Sequence, residues 1–141
     1  MNSPERGEVW LVDLGMTAKV RPCVVISVAV DDTDRALVAL IPHTTSTRTT
    51  RFEAVVPLHF LKAGAFDAQG IVTVSDRYAI RRLGKLRQEQ LQIVEGALCR
   101  WLGRARGQQR AAHLPPRPEA RAAGPPGDAP GGAVAVRTGW V

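Results

Sequence analysis

Two short stretches of this chain carry side chains suited to phosphate chemistry. The first is Lys19-Val20-Arg21-Pro22-Cys23-Val24-Val25-Ile26-Ser27. Pro22 cannot donate to a β-ladder, so it belongs at the first position of a strand, and it pushes Arg21 into extended geometry. A guanidinium is thereby held at the mouth of a rigid strand, where its planar fork of donors stays charged. The second is His43-Thr44-Thr45-Ser46-Thr47-Arg48-Thr49-Thr50-Arg51. Hydroxyls and guanidinium groups are the usual side-chain donors to phosphate oxygens. Two readings of this stretch stand side by side, a solvated hairpin loop and an oxyanion or phosphate site. His43 adds a group that titrates near neutrality and suits proton transfer.

The elements that must hold these groups are mostly strands. Glu8 to Leu14 has a heavy apolar load and is followed, after the turn 15–20, by the run from Arg21 to Ser27. That spacing predicts an antiparallel pair. Cys23 to Ile26 has no polar break and reads as a central strand covered on both faces. Further strands are expected at 35–41, ended by Pro42, at 52–57 and at 70–76. Leu58 to Gly64 reads as a helical turn or loop, and the cationic run 77–86 holds a short edge strand. Arg87 to Leu102 is the one convincing helix: Leu91, Val94, Leu98 and Trp101 recur at three- and four-residue spacing, with Leu102 beside them and Gly103 at the C′ position. The sum is a mainly β fold with one C-terminal α-helix, a small and strongly curved antiparallel sheet or barrel.

The 141 residues carry a net charge of +6. Residues 1–103 hold 13 Lys+Arg against 11 Asp+Glu, whereas 104–141 hold 6 Arg against 2 acids, so the basicity is mainly a property of the tail. That tail is rich in Pro, Gly and Ala without periodicity and is expected to be disordered, giving domains 1–103 and 104–141. Two cysteines are too few for a disulfide framework. Asp31-Asp32-Thr33-Asp34 lacks the glycine and glutamate of a calcium loop, so no metal or other cofactor is expected. No apolar run reaches membrane-span length and Met1 to Glu8 has no signal-peptide core, which makes a cytoplasmic protein the default.

Three blocks, Gly7 to Leu14, Arg21 to Ser27 and Ile41 to Ser46, together resemble the MazF/PemK toxins of type II toxin–antitoxin systems in order and spacing. The resemblance covers roughly residues 5–102. It implies an SH3-like plasmid-maintenance-toxin barrel, a homodimer, and a metal-independent endoribonuclease that cuts single-stranded RNA at a short sequence. The products would carry 2′,3′-cyclic phosphate and 5′-hydroxyl ends. It also implies a cognate antitoxin protein as partner and a DNA-binding toxin–antitoxin complex. The family's catalytic arginine matches Arg21, and its catalytic hydroxyl matches Thr44, with Thr45 one register away and His43 adjacent. Lys19, Arg48, Arg51, Asp76, Arg77, Arg81 and Trp10 are the expected RNA-binding positions, with Arg82 near them on the RNA path or the dimer interface. Trp10 can stack a base or serve the core. Relatives often carry a longer loop with acidic and amide residues before the arginine, and here 15–20 replaces it. Two other readings are a catalytically degenerate barrel that only binds RNA or protein, and an SH3-like binder of proline-rich peptides. The low aromatic content, 5%, argues against the latter.

Overall fold

The computed structural model describes residues 3–15 and 19–104. They fall within a compact unit spanning Met1–Gln108. All but Arg104 of the Pro/Gly/Arg-rich tail lies outside the described residues. Seven strands form one antiparallel system: β1 (Glu8–Asp13), β2 (Val20–Val25), β3 (Leu37–Thr44), β4 (Glu53–Ala54), β5 (Ala65–Asp67), β6 (Val72–Ser75) and β7 (Ala79–Lys85). The helix α1 (Gln88–Trp101) follows. The strand order is β4-β5-β3-β2-β1-β7, with β6 also paired to β3. β2 is central, as its unbroken apolar run requires, and pairs with β1 from Val9↔Val24 to Asp13↔Val20.

The curvature comes from β6 and β7. β6 pairs with β3, β7 pairs with β1, and the two are joined by the single 3₁₀ turn Asp76–Tyr78. The ring β1-β2-β3-β6 and back to β7 is therefore completed by a covalent connection rather than by a ladder, so the barrel is curved but not closed by hydrogen bonds. Register shifts between Val9 and Trp10 and between Leu11 and Val12 bend β1 against β7. Inside the ring lie Trp10, Val12, Cys23, Val25, Val38 and Leu40, with Val72, Val74 and Ala79 against them. The opposite face of the same strands buries Val9, Val24 and Ile41 with Phe66, Leu91, Val94 and Ala97 under α1. Alternation along β2 serves both cores at once, which is why Cys23, Val24 and Val25 are all at most 1% exposed.

Several expected boundaries differ. The third strand does not stop at Pro42. The Ile26 N–H donates to the Ala39 carbonyl, so odd-numbered residues of β3 bond toward β2 and even-numbered ones toward the other edge. On that other edge β6 pairing ends at Leu40↔Val72 and β5 pairing begins at His43↔Phe66. Pro42 falls in the gap, where its missing donor costs nothing. The strand expected at 52–57 shrinks to two residues, because Val55 turns outward (65% exposed) and Pro57 follows. Ala65–Asp67, not foreseen as a strand, sits between β4 and β3. The helix buries Ala97 in place of Trp101 and Leu102, which are 43% and 60% exposed. The Trp101 ring instead packs edge-on against Phe52 at 5.2 Å between centroids. Gly103 has the positive φ of a C′ residue, 80°.

Phe66 is fully buried and joins β5 to β3 and the helix-covered core. Phe66→Ala is expected to cost about 3–5 kcal/mol, as aromatic truncations in closed cores do. Urea denaturation of the two proteins measures the difference.

Candidate active site

The β2–β3 ladder runs Val25↔Leu40, Val24↔Ile41, Cys23↔Pro42. Extended two residues beyond the last pair, this register sets Arg21 toward Thr44, each near the end of its strand. Residues opposed in an antiparallel ladder share a face, so the register directs both sequence candidates toward the same end of the β2–β3 pair. Both line a cleft of about 490 Å³. Its other walls come from Leu11 and Pro22 of the β1–β2 pair, His43, Thr45 and Ser46 around Thr44, Phe60, Leu61 and Lys62 of the loop before β5, and Arg81 and Leu83 of β7.

Three cations, Arg21, Lys62 and Arg81, thus face three hydroxyls, and no described residue lining the cleft is acidic. The Thr44 hydroxyl oxygen accepts the Ser46 N–H at 3.0 Å. That bond fixes the side chain and leaves the hydroxyl proton to be donated. His43 is only 6% exposed and packs edge-on to Phe66, 5.0 Å between ring centroids. Burial lowers its pKa below the ordinary histidine value, so the imidazole is neutral at pH 7 and able to accept a proton. Cys23 is no nucleophile: burial pushes its thiol up to about 12, against a smaller lowering by the Arg21 charge.

Arg48 and Arg51 do not line this cleft. The far half of their loop folds onto its own acid: Glu53 accepts the N–H groups of Arg48, Thr49 and Thr50 at 3.0, 2.7 and 3.3 Å. Thr49 adopts a positive φ of 59° to make this nest. These backbone donors, the Arg48 N–H first among them, hold the Glu53 pKa below the usual carboxylate value. The anion site foreseen across 43–51 therefore splits. Its first residues face the cleft and its last residues already hold an anion. Arg51 lies over the Phe52 ring, 4.6 Å to the centroid. Asp76 and Arg77, with Trp10 and Arg82, line a second cleft of about 600 Å³ that shares only Arg81 with the first. Trp10 is 9% exposed, packs inside the barrel and donates its indole N–H to Glu8 at 2.9 Å. Its placement is that of a core residue. Lys19 lies in the β1–β2 turn with φ 57°, where its carbonyl accepts the Leu14 N–H.

The loop Leu58–Gly64 is a wall of the site that sequence pattern alone does not reveal. Its only early signal was Gly64. A Cβ there would collide with the Thr44 carbonyl oxygen and lie 2.8 Å from His43 Cε1. The loop therefore crosses directly over the strand end that carries the threonine.

The same fold is found in solved structures of RNA-cleaving proteins. An endoribonuclease in complex with its cognate antitoxin from a mycobacterial species is 25% identical, with a TM-score of 0.63 over 72% of this chain and 96% of that one. MazF from Deinococcus radiodurans is 25% identical, with a TM-score of 0.62 over 73% and 99%. The MazE–MazF complex of that organism gives 24% and 0.63 over 74% and 100%. The family model for PemK-like, MazF-like toxins of type II toxin–antitoxin systems matches residues 5–102, and the chain belongs to that family.

Two measurements follow from this geometry. Gly64→Ala must push the loop and Thr44 apart; a destabilisation of about 1–3 kcal/mol is expected from the overpacking, read by thermal unfolding. His43 gives a pH effect. Its folded-state pKa is depressed, so the unfolded chain binds the proton first. Stability is then full above the unfolded value of about 6.5 and falls as pH drops through it. Urea midpoints at about pH 7.5 and about pH 5.5 should fall less in His43→Gln than in the wild type.

Proposed function

We propose that this chain is the toxin of a type II toxin–antitoxin pair and an endoribonuclease that cleaves single-stranded RNA by attack of a 2′-hydroxyl on the adjacent phosphate. The observation that carries this reading is the convergence of Arg21, Lys62 and Arg81 with Thr44, Thr45 and Ser46 in one cleft without an acidic lining residue. The RNA 2′-oxygen loses its proton and bonds to phosphorus, and the 5′-oxygen departs and gains a proton. The products are a 2′,3′-cyclic phosphate and a 5′-hydroxyl end. The developing negative charge on the phosphorane is met by the Arg21 guanidinium and the Thr44 hydroxyl, the kind of preorganised donors that contribute most to such reactions. A guanidinium offers only donors and no acceptor site, so Arg21 is poorly suited to take the 2′-proton. The neutral imidazole of His43 is the better acceptor, and its depressed pKa keeps it in that form at pH 7. No metal is given a role in these steps.

The comparisons support a protein partner of the same kind, because relatives of this fold form complexes with a cognate antitoxin. An acidic or apolar antitoxin segment laid across the cationic cleft would exclude RNA. A homodimer and a cytoplasmic location belong to the same reading, and no helix among the described residues is long and apolar enough to cross a membrane.

The test is incubation of the purified chain with a long unstructured RNA, with and without EDTA, followed by sequencing of 5′-hydroxyl ends. Cleavage at a shared short motif, insensitive to EDTA, is expected. Arg21→Ala should lower the rate by about 10²–10³-fold, the cost of removing one transition-state donor. Tight RNA binding without cleavage by the wild type would instead establish the degenerate binding barrel.

A further inference from the structure

The loop Leu58–Gly64 is pinned at both ends against the strands that carry the site. At its far end Gly64 lies against the Thr44 backbone, with no room for a Cβ. Near its start the Phe60 ring occupies the space over Gly84 of β7, where a Cβ would come within 2.5 Å of Cε1 and Cζ. Glycine weakens a strand interior and often marks the close approach of another group. Between the two pins the Leu61 N–H bonds the Leu58 carbonyl at 3.1 Å, closing a turn. Leu61 and Lys62 are thus presented to the cleft from a rigid support, although they come from a loop without regular structure.

The cleft they complete is two-sided in its chemistry. One side holds the cations and hydroxyls. The other is apolar, formed by Leu11, Phe60, Leu61 and Leu83. Phe60, Leu61 and Leu83 back onto the helix-covered core while keeping part of their surface in the cleft. A bare phosphate needs no apolar wall, whereas a nucleotide presents a flat apolar base one sugar away from its phosphate.

We propose that this wall is a base-specificity subsite: one unstacked nucleobase next to the scissile phosphate packs against Leu61 and Phe60, while Lys62 holds a neighbouring phosphate. The proposal rests on the RNA-cleaving reading above. The wall selects by shape, so its discrimination is of the size that an added or missing methylene gives in an apolar pocket. Lys62, by contrast, contributes to all sequences alike.

The full-length wild type, Leu61→Ala and Lys62→Gln are incubated with a mixed-sequence RNA, and the 5′-hydroxyl ends are sequenced. Leu61→Ala is expected to lower selectivity at one position of the cleavage motif by about 10-fold or more, with the remaining positions keeping their ratios. Lys62→Gln should slow every site alike and reduce the salt dependence by about one counterion. An unchanged motif in Leu61→Ala, or a uniform slowing of all sites with the motif intact, overturns the subsite and leaves the loop as a support for Thr44. If Leu61→Ala unfolds, Leu61→Met keeps the volume and should still shift the motif. Failure of the wild type to cut RNA would sink the enzymatic reading rather than the wall. Binding of uncleavable 2′-deoxy oligonucleotides of single-base composition then decides. A base preference lost in the Leu61 variant supports the subsite, and equal binding of all bases by the wild type overturns it.

Discussion

Strand β3 has to satisfy three neighbours with eight residues, and the rest of the molecule follows from how it does so. Along one edge it keeps a single partner, β2. Along the other it changes from β6 to β5 between Leu40 and His43. A residue with an amide donor at the change point would carry a buried, unmet N–H, a loss on the order of 1–3 kcal/mol. Proline removes the problem by removing the donor. The same residue, set opposite Cys23 with its own backbone groups turned away from β2, carries the strand on to His43 and Thr44. The hydroxyl is therefore carried to the cleft that Arg21 also lines by the continuity of β3 through its proline.

This explains which parts of the fold were legible in the sequence. Strands with one dominant apolar run, β1 and β2, and the periodic helix are fixed by local pattern and appear where expected. Proline at 42 was read by its usual meaning, a strand stop, because sequence cannot show that it lies between two partners. Ala65–Asp67 is too short to have a pattern of its own. It is a strand only because Phe66 fills the core and Glu53 and Ala54 lie beside it. Trp101 looked like the fourth core position of α1, but helical geometry gives that place to Ala97, whose small side chain allows the helix close to the sheet.

The site divides in the same way. Arg21, Thr44, Thr45 and His43 were legible because residue type and position at strand ends already carry the chemistry, and Arg81 because a cationic edge strand runs beside them. Lys62 and the apolar wall come from a loop without periodicity, brought in by tertiary contact alone. Arg48 and Arg51 illustrate the opposite error. Basic and hydroxyl residues in a row suggest an anion site, but the backbone there had a nearer anion in Glu53, five and two residues away. An intramolecular carboxylate has a high effective concentration and takes such a nest before any ligand in solution.

Electrostatics and burial assign different duties to the groups that remain in the cleft. A guanidinium held at a strand end, in a cleft that two other cations also line, is a fixed positive charge, best used where negative charge grows. A proton has to move through a group whose two forms lie close in free energy. Among the lining residues His43 alone meets that condition, and burial has shifted it toward the neutral form. Its burial also limits how far it can reach, and the edge contact with Phe66 fixes the ring rather than letting it swing. In the proposed reaction a 2′-oxygen would therefore have to be brought to His43 by the substrate itself, and the loop that crosses Thr44 at Gly64 walls the cleft on that side.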